Sequence, residues 1–355
     1  MPGICFNFVQ SKITTMQPRN FLFSFGFLWT VLACTLLPGC ADRPEYSLQT
    51  EAALERLDAE LSNKPRYQQW RQEQADALRS DLSRPLRDGV AALLHAQYTD
   101  LADAPAHYDM VFITNPTSLH ADALTRVRGR GGALFIEKPI FSADQTGLDL
   151  ADCLPVGQKA YVAAPMRWCG VMLALKDRLP GLHPYCARVI CSSYLPDWRP
   201  GVDYRTVYSA HKAMGGGVTI DLIHEWDYLV ELFGVPEQLY NFKGTYSDLE
   251  IDSDDLSVYI ARYPTLLAEV HLDYFGRGYR RSIELFCHDG SYLADFDAGT
   301  LTLPDGTVQH YEEDVNRRYE REMEYFVDYA LTGSGESCNP PALALNVLKL
   351  TLGEN

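Results

Sequence analysis

Two stretches decide the fold of this chain: Asp109-Met-Val-Phe-Ile-Thr-Asn115-Pro116-Thr117-Ser118-Leu119-His120 and Leu134-Phe-Ile-Glu137-Lys138-Pro139. Each is an apolar run too short for a helix, and each ends in a polar turn. Pro116 and Pro139 close the runs, because a proline cannot donate to a strand ladder. Residues 118–128 then show helical spacing, as do 86–96 and 143–153, and a further apolar run falls at 161–164. Short apolar runs alternating with amphipathic stretches predict parallel strands covered by helices. Ligands of an open parallel sheet gather beyond the carboxyl ends of its strands, so the polar tips at 115–120 and 137–139 are predicted to face one crevice.

Beyond about residue 182 the pattern changes to longer, alternating, aromatic-rich runs at 187–194, 238–245, 256–263, 266–274, 280–287, 291–296 and 301–303. These predict antiparallel strands, with Asp289-Gly290 and Asp305-Gly306 as turn signals. One helix is predicted over 218–233, introduced by Gly215-Gly216-Gly217 and stopped by Gly234, and two more over 319–331 and 343–350. The expected class is α/β: a parallel-sheet domain, then an α+β domain with a large open antiparallel sheet.

The 355 residues are 46% hydrophobic and 22% charged, which fits a globular chain of two domains and excludes disordered or coiled-coil classes. The 31 basic against 47 acidic residues leave a net charge of -16, so nucleic acid is excluded as an expected partner. Nine cysteines without a CxxC pair frame neither disulfides nor zinc. Asp252, Asp254 and Asp255 lack the spacing of a calcium loop and read as a solvated turn, and His271 and His288 join no ligand set. No metal is expected.

The front of the chain reads differently. Residues 20–41 carry no charge, and the apolar run 21–37 behind Lys12 and Arg19 suits the h-region of a signal peptide. It ends in Leu37-Pro38-Gly39-Cys40, which resembles a lipoprotein cleavage site, and it is short for a membrane span. Residues 1–50 are therefore expected to be an atypical apolar leader. Scattered thiols favour the cytoplasm, with an exported lipoprotein anchored through Cys40 as the alternative and the one case in which a membrane is a partner.

The two tips, together with Gly215-Gly216-Gly217-Val-Thr-Ile-Asp221-Leu-Ile-His224-Glu225-Trp226-Asp227, resemble the Gfo/Idh/MocA oxidoreductases, in order and separation, from about residue 75 onwards. The resemblance implies a Rossmann-like domain at 51–165 and a substrate and oligomerisation domain at 166–355. It implies NAD(P)-dependent oxidation of a hydroxyl on a sugar or nucleotide-sugar, as in surface-polysaccharide metabolism, by a homo-oligomer joined through the C-terminal sheet. Carried over by position, Lys138 stands near the nicotinamide and the reacting hydroxyl, with Glu137 and Pro139 shaping the cofactor wall. Asn115, Pro116, Thr117 and His120 line the ribose side. Asp221 and His224 face the substrate, His224 or Lys138 taking the hydroxyl proton, while Arg167, His211 and Glu225 are further substrate candidates. Spacings of three and four place Asp221, His224 and Glu225 on one helical face.

A dinucleotide site ordinarily opens with a strand and a glycine-rich turn, and no GxGxxG occurs in the chain. Residues 4–11 look like the first strand but no glycine follows between 7 and 13. Arg79, at the expected end of the second strand, slightly favours NADP over NAD. Two readings stay open: an oxidoreductase, or a non-catalytic sugar-binding or oligomer-partner relative that does not bind dinucleotide normally.

Overall fold

The computed structural model describes residues 101–354, together with the backbone of 21–23. The strand expected at 4–11, the helix expected at 86–96, Cys40 and Arg79 lie outside the described residues.

Four parallel strands form the first sheet in the order β1 (Phe21–Phe23), β2 (Tyr108–Ile113), β3 (Gly131–Ile136) and β4 (Lys159–Val162). The apolar run expected to act as a leader thus supplies the strand beside β2, with Phe21 opposite Met110. An uncharged apolar run suits a strand as well as it suits an h-region. Side chains alternate across this sheet. Val111, Ile113, Leu134 and Ile136 face the layer holding Leu124 of helix α1 (His120–Arg126), and Met110, Phe112 and Phe135 face the other way.

That second face is covered from far along the chain. Helix α6 (Asn316–Thr332) sets Phe326, fully buried, edge-on to Phe112 at 5.3 Å and to Phe135 at 5.2 Å. Residues beyond the expected boundary at 165 therefore complete the packing of the first sheet. Beside them the carboxyl of Glu322 accepts from the hydroxyl of Tyr161 (2.8 Å) and the amide of Ala164 (2.6 Å) through one oxygen. Burial pushes its pKa up to about 8 against these two bonds. A carboxyl with a raised folded pKa contributes no penalty below its ordinary value of 4.5 and destabilises progressively as pH rises towards 8. Glu322→Gln keeps the accepting oxygen and removes the proton. Urea unfolding across this window should show the parent losing stability relative to the variant by about 1.4 kcal/mol per pH unit at the steepest; parallel curves would refute the assignment.

The second sheet has eight strands in the order β12-β11-β10-β9-β5-β8-β7-β6. They are β5 (Cys186–Tyr194), β6 (Gln238–Gly244), β7 (Leu256–Arg262), β8 (Leu267–Asp273), β9 (Phe275–Cys287), β10 (Gly290–Asp295), β11 (Thr300–Thr302) and β12 (Val308–His310). One pairing departs from the expected antiparallel sheet: β5 and β8 run parallel, Val189 opposite Val270. Two helices and two strands intervene between them, long enough for the crossover that parallel neighbours need. One face packs on helices α3 (Gly170–Arg178) and α5 (His224–Phe233); the other shows Tyr240 at 62% and Phe242 at 73% exposure. The stretch expected as helix at 143–153 is helical only at α2 (Leu150–Cys153), after a short 3-10 turn at Ala143–Gln145.

The helix expected over 218–233 is two helices, α4 (Val218–Asp221) and α5, broken at Leu222 and Ile223. The glycines before it are there for space. A Cβ on Gly216 would lie 2.0 Å from the carbonyl oxygen of Tyr208, and Gly217 has φ 130° with Asp254 against it. Asp254 caps α4, accepting from the amide (2.9 Å) and the hydroxyl of Thr219, while Asp255 is fully buried and accepts from the amides of Tyr246 and Ser247. The acidic run expected to be a solvated turn is thus largely structural, because the chain folds back over it.

Candidate active site

Ile113 and Ile136 are register partners, so the residues after them leave the sheet side by side, tied by the amide of Glu137 donating to the carbonyl of Ile113 (2.9 Å). The Lys138-Pro139 peptide is cis. Lys138, Pro139 and Ile140 then form one wall of a narrow cleft of about 20 Å³, the size of a water molecule. Val162 and Ala163 at the end of β4, Ile223 and His224 at the start of α5, and Ala344 and Val347 of α7 (Pro341–Thr351) close it. Lys138 and His224 therefore line one cleft at the carboxyl ends of the parallel strands.

Neither the amine of Lys138 nor the ring of His224 has a hydrogen-bond partner among the described residues. Burial, and then the positive charges of Lys138, Arg281 and Arg318, push the pKa of His224 well below 6.5. A neutral imidazole results, able to accept a proton. Glu137 shows the converse: burial raises its pKa, and the charge and amide of Lys138 oppose the rise.

The other candidates divide. Asn115 keeps a buried side-chain oxygen without a partner among the described residues, at the tip of β2, and Thr117 opens a 3-10 turn directly after Pro116. His120 is 1% exposed and its two ring nitrogens lie on the carbonyls of Asn115 (2.9 Å) and Ile140 (3.2 Å). It joins the two tips from beneath and presents no free nitrogen to a ribose.

The break at Leu222 separates the helical face expected to unite Asp221, His224 and Glu225. Asp221 accepts from the hydroxyls of Tyr208 (2.8 Å) and Tyr274 (2.5 Å). Glu225 is fully buried and paired with Arg281 through two bonds of 2.6 and 3.1 Å. Of the three, only His224 lines the cleft. His211 lies on the loop before α4, its Nε2 on the carbonyl of Arg205 (2.7 Å), and is not a cleft residue.

Arg167, expected to contact substrate, has all five N–H groups engaged inside the protein. Nε and Nη2 grip Asp227 at 2.8 and 2.7 Å, Nη2 also reaches Asn339, and Nη1 donates to Glu231 (2.6 Å) and the carbonyl of Cys338 (2.9 Å). No donor remains for a ligand. Although burial opposes its charge, Asp227 raises its pKa above the ordinary arginine value. Sequence reasoning missed Asp227 as the anchor of this clamp and Asn339 as a cleft residue. The opposite charges of Arg167 and Asp227 were a weak signal for the first, and nothing local marked the second.

No family model matches the chain, and no curated protein matches it. Solved structures do. An oxidoreductase from Agrobacterium radiobacter, in complex with NAD+, L-tartaric acid and magnesium, is 17% identical, with a TM-score of 0.60 over 75% of this chain and 84% of its own. UDP-N-acetylglucosamine 3-dehydrogenase from Acidithiobacillus ferrooxidans is 17% identical, with a TM-score of 0.54 over 75% and 83%. The WlbA dehydrogenase from Bordetella pertussis, in complex with NADH and UDP-GlcNAcA, is 16% identical, with a TM-score of 0.54 over 76% and 84%. The chain has the fold of these oxidoreductases: a Rossmann-like parallel sheet followed by an α/β domain. Among the described residues no group of His, Cys, Asp and Glu is placed to hold a metal ion, and no helix is long and apolar enough to cross a membrane.

Proposed function

We propose that the chain is an NAD(P)-dependent oxidoreductase acting on a hydroxyl of a sugar or nucleotide-sugar. The observation that carries this reading is the meeting of Lys138 and His224, both without hydrogen-bond partners among the described residues, in one cleft at the carboxyl ends of parallel strands. The likeness in fold to dehydrogenases solved with NAD+ or NADH supports it. The bound dinucleotide would accept the hydride. The Asn115 oxygen, without a partner among the described residues, and the tip at 115–117 suit the polar ribose side of such a group, and Glu137 and Pro139 suit its nicotinamide end. His224, kept neutral, takes the hydroxyl proton, and Lys138 holds the hydroxyl oxygen and supplies positive charge as the alkoxide develops. Asp221 orients Tyr208 and Tyr274 at the edge of this region, and Arg167 holds α5 so that His224 faces the cleft. A second copy of the chain is the partner this reading assigns to the open face of the eight-stranded sheet.

Thermal-shift titration with NADH and NADPH tests the reading. A ligand at about 100 times its Kd adds about 2.7 kcal/mol to stability, so either nucleotide should raise Tm in a saturating manner, and the tighter one settles the choice between them. No rise with either would sink the assignment in favour of a non-catalytic relative.

A further inference from the structure

A second cavity, of about 240 Å³, follows the candidate active site along the chain from Ala163 to Met166 and is lined in part by Met166, Gly170, Tyr279, Arg281, Tyr311 and Arg318. It is large enough to take a sugar substituent, and its charged side chains differ in how they are paired. Arg281 is neutralised by Glu225. Glu313 is taken up by Arg321 (2.8 Å) and by the amide of Gly170 (2.8 Å). Glu312 and Asp297 stand on the exposed rim. Arg318 is different: among the described residues its buried Nε has no partner, and its Nη1 donates only to the thioether sulfur of Met166 at 2.9 Å. A thioether is a weak acceptor, and a guanidinium nitrogen buried without a partner carries a desolvation penalty that a ligand oxygen would relieve. Among the described residues no carboxylate forms an ion pair with Arg318. The charges of Arg318 and Arg281 also reach the ring of His224, so the cavity and the reacting position share one electrostatic environment.

We propose that the substrate is a sugar acid whose carboxylate seats on Arg318 in this cavity, with its reacting hydroxyl towards His224 and Lys138. The inference rests on the oxidoreductase reading and names the substrate class of that same site. A guanidinium presents a planar fork that matches two carboxylate oxygens. Among the described residues Arg318 is the one lining cation without a carboxylate partner, and its single charge matches a monoanion; a phosphate group would bring about one further negative charge towards a rim that already carries Asp297 and Glu312.

The experiment is equilibrium binding to the full chain in the presence of NADH, by calorimetry or saturation-transfer NMR, with D-glucuronate, D-glucose and inorganic phosphate as probes. D-Glucuronate should bind at least about tenfold more tightly than D-glucose, the size of one charge-assisted hydrogen bond. Arg318→Gln should abolish the preference and Arg318→Lys should keep part of it, both with the circular dichroism of the parent. The proposal is overturned by equal binding of glucose and glucuronate, by phosphate binding as tightly as glucuronate, or by a folded Arg318→Gln that keeps the preference. If NADH fails to stabilise the chain while glucuronate is still preferred through Arg318, the oxidoreductase reading falls and the acid-binding cavity stands. If NADH binds and glucuronate is not preferred, only the sugar-acid proposal falls.

Discussion

Lys138→Ala should lower kcat/KM for sugar oxidation by about 10² to 10⁴-fold, the range for loss of a positioned group that handles proton and charge, while the Tm rise with dinucleotide persists. Lys138 has no hydrogen-bond partner among the described residues, so its removal breaks no structural bond, and the loss should appear in turnover and not in folding. A second effect follows from its neighbour. The charge of Lys138 is, after burial, the leading cause that depresses His224. In the parent the base is neutral through and below pH 6.5, and the acid limb of the rate profile lies under the ordinary histidine value. Without the amine, the residual activity of Lys138→Ala should show that limb moved upward, because less positive charge opposes protonation. Steady-state kinetics between pH 4 and 9 would read both effects. Turnover equal to the parent, with an unmoved limb, would take Lys138 out of the chemistry.

The largest loss of stability is expected at Arg167. Its guanidinium is buried with Asp227 and Glu231 in a network that joins the turn after β4 to α5 and to the segment before α7. Arg167→Ala leaves the buried carboxylate of Asp227 without its cation, Glu231 keeping only the exposed Lys176, and breaking such a network from one side costs about 3–5 kcal/mol. Arg167→Lys keeps a charge but offers three donors in place of five, and should lie between. Urea midpoints would show the order parent, lysine, alanine. A midpoint for the alanine variant within about 0.5 kcal/mol of the parent, joined to a raised KM, would return Arg167 to the role of a substrate contact.

Much of the first domain was legible because its strands advertise themselves. Residues 109–114 and 133–136 are apolar runs closed by proline, and the structure places β2 and β3 there with their polar tips adjacent. That Lys138 and His224 line one cleft was suggested by the motifs, since each sits at the end of an element. Long-range partners were not. Asp221 is drawn to Tyr274, 53 positions away, and the chain breaks its helix after it, so the expected shared face dissolves. The donors of Arg167 reach acceptors between 60 and 172 positions distant, which no window of neighbouring residues reveals. Strand direction is equally invisible to a hydrophobic pattern, which is why β5 and β8 read as antiparallel. Arg318 lies in a charged helical stretch whose composition suggests solvent, and only its burial against Met166 sets it apart.

The aromatic seam between the first sheet and α6 has a consequence for biogenesis. Tyr161 meets Glu322 across 161 positions of chain, and Phe112 and Phe135 wait still longer for Phe326. On the ribosome, one side of the nascent sheet stays bare until nearly the whole polypeptide has emerged. Such late closure slows folding and leaves a sticky surface open to other chains in the interval. Shielding by a chaperone during synthesis should therefore matter more to the yield of this protein than to that of one whose sheets are covered by helices translated next to them.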